Sequence, residues 1–444
     1  MIGGSRKPEH SSVFLLRWNG CRDRRHPAII CRPTHTERTI LLTASPSTSP
    51  AFPWIGLITL AGAIFVSVTS EFLPTGLLPD MAAELHVSLS TIGLLVTIFA
   101  GTVVIATAPL AALTRRYSRK LLLVVVLFIV ALANVLAAIA PTFELLAGAR
   151  ILGGLAHGLF WAVVAAYSAH LVPKHQLGRA VAITAGGGTA AFVLGVPVGT
   201  ALGHALGWRA AFGIIAAVVV ILALLVIKFL PAVDHRVPLS TGEIPLPFYK
   251  DHSLRGIVIV SVVIVILLTG QNTYYTYIAP WLIDVAGFPS SAVPFLLFLY
   301  GGAGAVGLVL AGFAADRFPK RGFLAAVLVV MASLAVIAIA SKNPAIVVAA
   351  FVVWGVAFGG IPAMLQTRML HTASFRMRDL AAALQTTAFN IGIGGGALLG
   401  GLLLDGIGIR SLPYIVIAFL AVALVVSVGA DAARIARARR ARTA

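Results

Sequence analysis

Long apolar runs separated by short polar connections repeat from residue 54 to near residue 432, whereas the first 50 residues hold no apolar run beyond four or five residues. Twelve runs centre near residues 66, 101, 131, 160, 189, 219, 267, 304, 331, 355, 391 and 421. Each carries little or no charge and comes close to, or passes, the roughly 20 residues a helix needs to span a bilayer. The pattern predicts an all-α membrane protein of twelve transmembrane helices. The first run, Trp54 to Pro79, contains one carboxylate, Glu71, with no other Asp or Glu between Glu37 and Asp80. An ionisable group at that depth is costly and by default marks a path for ions or substrate. The alternative is a contact between helices with a buried partner.

Composition supports the membrane reading: 59% of residues are hydrophobic and 11% charged, about half the charge fraction of soluble domains. The net charge of +18 would suit a nucleic-acid binder, but its distribution does not. With Trp54 placed on the cytoplasmic side, Arg209, Lys342 and Arg410 are the only basic residues in outer connections. Of the 33 Lys and Arg, eight more lie in the first 50 residues and Arg150 within a helix; the rest fall in cytoplasmic connections and the tail. That is the positive-inside asymmetry, and it places both termini in the cytoplasm. Residues 1–50 lack the apolar core of a signal peptide. They are expected to be either a disordered basic extension or an over-extended translation start. Cys21 and Cys31 both precede the first span and fit neither a metal-site spacing nor a disulfide framework.

A polar, proline-bearing link at 231–255 divides the chain into halves, 51–230 and 256–432, followed by a basic cytoplasmic tail at 433–444. A constant offset of 201 residues relates the halves. Gly154 and Gly158 fall on Gly355 and Gly359; Gly195, Gly199 and Gly207 fall on Gly396, Gly400 and Gly408; Pro79 falls on Pro280 and Arg116 on Arg317. Two similar six-helix bundles are therefore expected, with a site between them. The same register shows where they differ: Glu71 falls on Asn272, Arg150 on Phe351, and Arg115 on Asp316. The second half offers Gln271, Asn272, Tyr274, Tyr275 and Tyr277, with Gln385, Thr386, Thr387 and Asn390 on the eleventh span. For the tyrosines the alternative is an interfacial aromatic belt.

Arg150, Gly154, His157 and Trp161 share one face of the fourth span. Glycines at every fourth residue from Gly195, interrupted by Pro197, predict a flat, kinked ridge on the fifth. The second span ends in a turn carrying Arg115, Arg116, Arg119 and Lys120. The segment Gly312-Phe313-Ala314-Ala315-Asp316-Arg317-Phe318-Pro319-Lys320-Arg321 repeats that turn's position in the second half. With these motifs the chain resembles the major facilitator superfamily over residues 54–432. Arg150 with Gly154 and Gly158, and the stretch Gly187 to Gly199, resemble the fourth- and fifth-span motifs of its drug:proton antiporters. Ser70-Glu71-Phe72, Gly76-Leu77-Leu78-Pro79 and Ala279-Pro280 are most similar to bacterial sugar-efflux and chloramphenicol-resistance exporters. The chain departs from the loop signature in having Arg115 where the family has an aspartate that helps lock the inward gate. The resemblance implies that the lock rests here on Asp316, within gating loops formed by Arg115, Arg116, Arg119, Asp316 and Arg317.

The expected function is export of small amphipathic compounds across the bacterial inner membrane, driven by inward proton flow. A sugar or nucleoside exporter of the same architecture and a non-transporting sensor or scaffold are the alternatives. No metal-ligand cluster or triad spacing suggests an enzyme. The expected partners are a small molecule, protons and the bilayer, with no cofactor and no nucleic acid; the chain is expected to act as a monomer. Glu71 and Arg150 are expected to meet and to couple protons, since each lies about seven residues, or roughly 10 Å, below the same surface. A permanent ion pair is the alternative, and His157 the next candidate for the carrier. The cavity is expected to be lined by Glu71, Arg150, His157, Trp161, Gln271, Asn272, Tyr275 and Asn390.

Overall fold

The computed structural model describes residues 52–114, 116–173, 176–231 and 251–443, and the described residues form helices with no strand. The N-terminal extension, both cysteines and most of the link at 231–255 lie outside the described residues. Six spans make up the first half: α1 (Trp54–Leu85), α2 (Leu89–Leu113), α3 (Arg119–Ala138), α4 (Phe143–His170), α5 (Leu177–Ala190) continuing into α6 (Val196–Leu206), and α7 (Trp208–Phe229). The second half has α8 (Leu254–Tyr275) with the short α9 (Ile278–Pro280), α10 (Val293–Arg317), α11 (Pro319–Ile339), α12 (Pro344–Gly359) continuing into α13 (Ile361–Thr372), α14 (Arg378–Ile407) and α15 (Leu412–Thr443). Twelve helical stretches among the described residues are long and apolar enough to cross a membrane. The last helix runs straight on through the basic tail.

Helix starts follow local chemistry. Ser88, Ser118, Thr142 and Asn343 each precede a helix and accept a hydrogen bond from the backbone N–H three residues on, satisfying one of the donors that a helix start leaves free. The two halves then pack alike. A Cβ on Gly154 would stand 2.7 Å from the Phe99 carbonyl, and one on Gly355 would stand 2.7 Å from the Tyr300 carbonyl. Phe99 and Tyr300 are themselves 201 residues apart, so the same glycine admits the same close helix crossing twice. Gly207 and Gly408, also paired, have φ of +89° and +86°, backbone that only glycine adopts without strain, and each ends a helix before the final span of its half.

The fifth-span ridge faces α1: Gly195 sits against Thr69, Gly199 against Leu73 and Gly203 against Leu77. The irregularity there is a π turn at Ala191–Gly195, just before Pro197, which stands in the first turn of α6. Pro197 has no N–H for the helix ladder, and the wider turn accommodates that loss. It leaves the Phe192 carbonyl facing α10, where Gly301 backs onto it.

Candidate functional site

Between the halves lies a cavity of about 540 Å³. Glu71 on α1 and His157 and Trp161 on α4 form its first-half wall. Gln271, Asn272 and Tyr275 on α8, with Asn390 on α14, form the wall opposite. Among the described residues, Glu71 is the one carboxylate and His157 the one histidine of its lining, which holds no Lys or Arg. From Glu71 the lining runs to Ala185 on α5 and Gln366 on α13, toward the end of the bundle where α1 begins. At the other end the halves close on each other. Thr97 Oγ1 of α2 donates to the Gly394 carbonyl of α14 at 3.0 Å. Tyr277 threads between Gly93 of the first half and Gly400 and Gly401 of the second, and donates to the Ala397 carbonyl at 2.9 Å. Tyr277 is fully buried, so it is part of this seam and not of an interfacial belt.

Arg150 departs from the sequence expectation. It does not line the cavity, and its guanidinium does not pair with the Glu71 carboxylate. Instead Nη1 donates to the Ser70 carbonyl at 2.9 Å and Nη2 to the Glu71 carbonyl at 2.7 Å, while the cation rests 4.5 Å over the Phe99 ring. The reason lies in α1. Pro74 sits inside that helix and has no N–H to give the carbonyl four residues earlier, that of Ser70. A buried carbonyl without a donor is expensive, and Arg150 supplies the missing donor from the neighbouring helix.

The Glu71 carboxylate faces His157 instead, with Oε2 3.4 Å from Nε2. Trp161 donates its indole N–H to the same Nε2 at 2.7 Å, and Nδ1 lies 2.9 Å from Ser67 Oγ. An indole nitrogen can only donate, so Nε2 carries a lone pair here and the imidazole proton sits on Nδ1. That lone pair is taken by Trp161, so an ionised carboxylate 3.4 Å from it meets only electron density and is disfavoured against the neutral carboxyl. The geometry therefore fits a neutral His157 beside a protonated Glu71.

The second-half wall is aromatic and amide-bearing. Gln271 is committed within the protein, donating to Tyr300 Oη at 2.9 Å and accepting from the Trp354 indole at 3.2 Å. Tyr300 packs on Tyr275 at 5.2 Å and on Phe351 at 5.1 Å. Asn390 donates to the Thr386 carbonyl at 3.0 Å, and its buried Oδ1 has no partner among the described residues. That oxygen is an acceptor for whatever enters. Sequence reasoning did not single out Tyr300, Gln366, Phe192, Ser67 or Asn134. Tyr300 had a signal, since it is the repeat partner of Phe99. The others become visible only once the helices are packed. Of the gating residues, Arg115 and the side chain of Asp316 lie outside what is described. Arg116 and Arg317 are exposed, and Arg119 opens α3.

Two six-helix halves with a central cavity and one buried acid define a membrane transporter. The profile of the Major Facilitator Superfamily matches residues 60–392 and 262–443. The chain belongs to the major facilitator superfamily. Among solved structures it is similar to a bacterial homologue of the human lysosomal transporter Spinster. The unoccupied inward-facing form has TM-score 0.67 at 16% identity, covering 85% of this chain and 96% of that one; the occupied form has TM-score 0.68 at 16% identity, covering 86% and 97%. It is likewise similar to the nucleoside transporter NupG, with TM-score 0.66, 16% identity, and coverage of 85% and 99%.

Proposed function

We propose that the protein exports small neutral or cationic amphipathic compounds from the bacterial cytoplasm in exchange for protons, with Glu71 as the proton carrier. The observation that carries this reading is the cavity wall: one carboxyl group, held against a neutral histidine, in a lining that has no Lys or Arg among its residues. An apolar, aromatic cavity with a few placed polar points suits varied ligands, and an anion would find no cationic side chain there. Positive-inside placement puts the end at which α1 begins in the cytoplasm, so the cavity faces the compartment from which an exporter loads. Arg150 tunes the carrier indirectly, by fixing the α1 backbone at Ser70 and Glu71. Asp316, Arg116, Arg119 and Arg317 remain the proposed gating group.

The test is drug uptake by energised inverted vesicles, with wild type and Glu71→Gln compared at matched protein levels. Wild type should accumulate chloramphenicol-like compounds when the interior is acidified. Glu71→Gln should bind them without accumulating them. Undiminished, pH-dependent accumulation by Glu71→Gln would reject the assignment, and no uptake of any compound by wild type would favour a sensor or scaffold. A second reading, sugar or nucleoside efflux, is favoured by the amide groups of Asn272, Gln366, Gln385 and Asn390 in the wall, which suit a polyhydroxylated ligand. Labelled pentoses and nucleosides in the same vesicles separate the two.

A further inference from the structure

Behind Glu71, inside the first half, lies a second and much smaller space of about 10 Å³, at the lower limit for a single water. It is lined by Ser67 and Ser70 of α1, Asn134 of α3 and Arg150 of α4, and closed by Phe99 and Gly153. Arg150 Nε is buried and has no hydrogen-bond partner among the described residues, although both terminal nitrogens are bonded. Arg150 as a whole is 3% exposed, and a guanidinium N–H left bare at that depth is costly. Ser70 Oγ donates to Asn134 Oδ1 at 2.8 Å, and Ser67 Oγ meets His157 Nδ1. The space thus offers a donor on one side and hydroxyl and amide groups on the other, the two to four polar partners that a buried water requires.

We propose that this space is a one-water site and that the water is the back end of a relay reaching Glu71 through Ser67 and His157. The relay rests on the reading of Glu71 as proton carrier; the water site itself does not. The ionisable groups around it, among the described residues, are Arg150 and His157, which line it, and Glu71 beyond His157. A proton arriving at the water displaces one onto Ser67 Oγ. Ser67 passes its own to His157 Nδ1, and Nε2 releases its proton to the Glu71 carboxylate. One proton enters and one ends on Glu71. His157 finishes with its proton on Nδ1 and a free lone pair on Nε2, where Trp161 now donates, which is the arrangement observed. Arg150 Nε fixes the water by donating to its oxygen. The water and Ser67 lie inside the first half, and His157, which lines both spaces, forms with Glu71 the wall between them and the substrate cavity, so a proton approaches Glu71 from behind that wall.

Two measurements decide this. In an experimental structure of the full chain, density for a water within hydrogen-bond distance of Arg150 Nε and Ser67 Oγ is expected; a dry space overturns the site. Gly153→Ala places a methyl group beside the Phe99 ring and Ala133, at 3.2 and 3.6 Å, where it crowds the water without removing a polar group. In proteoliposomes, Gly153→Ala and Ser67→Ala should lower proton-driven uptake on the order of tenfold or more beyond any change in ligand counterflow. Counterflow needs the cavity and the conformational change but no net proton. Equal loss in both assays, or no loss in either, overturns the relay. If wild-type uptake ignores the proton gradient, the transport reading and the relay fail together, while the density still decides the water site.

Discussion

Arg150→Met and Pro74→Ala, made singly and together, test whether the buried arginine is a donor for a proline-freed carbonyl. Arg150 gives two short hydrogen bonds to buried carbonyls, at 2.9 and 2.7 Å. Methionine keeps most of the side-chain volume but supplies no donor. The Glu71 carbonyl keeps the Thr75 N–H four residues on in the same helix, so the single change strands the Ser70 carbonyl alone and should destabilise by about 1–3 kcal/mol. Relief from burying a guanidinium offsets part of that. Pro74→Ala restores an N–H four residues after Ser70, so the Ser70 carbonyl regains a partner within its own helix. In that background Arg150→Met strands no carbonyl and should cost about 1–3 kcal/mol less. Reversible unfolding in mixed micelles with rising dodecyl sulfate gives the four free energies. Additivity within about 0.5 kcal/mol would refute the reasoning, because uncoupled sites behave that way. It would then follow that Arg150 stabilises through its place over Phe99, or not at all.

Three further outcomes follow from particular contacts. Tyr275→Ala and Asn390→Ala should change the ranking of transported compounds more than the pH dependence of transport, and a uniform loss across compounds would assign them a structural role. Gly93→Ala should press on Tyr277 at the seam, lowering thermal stability and favouring opening at that end, measured by thiol labelling of a cysteine placed at Ser90. Asp251 accepts bonds from Ser253 Oγ, Ser253 N–H and Ser374 Oγ at 2.7, 2.8 and 2.8 Å, chiefly the Ser253 hydroxyl, and these hold its carboxyl down at about 2 from a usual 3.8. A lowered value in the folded state stabilises above the unfolded value and fades as pH falls through the folded one, so the penalty of Asp251→Asn should be constant above about pH 4 and shrink toward about pH 2.

Twelve spans and two related halves were legible in the sequence because they rest on one-dimensional signals. Apolar length sets a span, and glycines in a fixed register set where helices touch. Gly154 and Gly355 show why that register held, since each admits the same carbonyl of the second helix in its half. Most of the cavity wall was legible for the same reason: Glu71, His157, Trp161, Asn272 and Tyr275 are rare polar or aromatic residues in apolar spans. The partner of Arg150 was not. Depth alone brought Arg150 and Glu71 to the same level, and opposite charges suggested an ion pair. A helix presents backbone as well as side chains, and the cue that the backbone would win was Pro74, which the sequence reading did not single out. Ser67 and Asn134 were lost for a different reason, because serine and asparagine in a span usually bond back to their own helix, and nothing in the sequence separates those from ones that reach across.

The offset that makes the halves alike also shows how they diverge at one place. Arg150 lies over Phe99 at 4.5 Å; its counterpart Phe351 packs on Tyr300 at 5.1 Å, and Tyr300 is the counterpart of Phe99. One helix crossing therefore holds a cation on an aromatic ring in the first half and an aromatic pair in the second. The consequence for the cavity is direct. In the first half the cation anchors α1 and leaves Glu71 to face His157 and Trp161. In the second half the ring pair supports Tyr275 and engages Gln271 through Tyr300, and Asn272 stands where Glu71 would. Exchanging the two arrangements is therefore not neutral. Phe351→Arg would put a guanidinium beside Tyr300 and Trp354, where Tyr275 stands at the place of Pro74 and frees no carbonyl for it. An unpartnered buried cation is far more costly than a ring pair. The asymmetry in backbone, a proline in one first helix and none at the matching place in the other, is what lets this crossing keep a buried cation in the first half while the second half places an aromatic pair there.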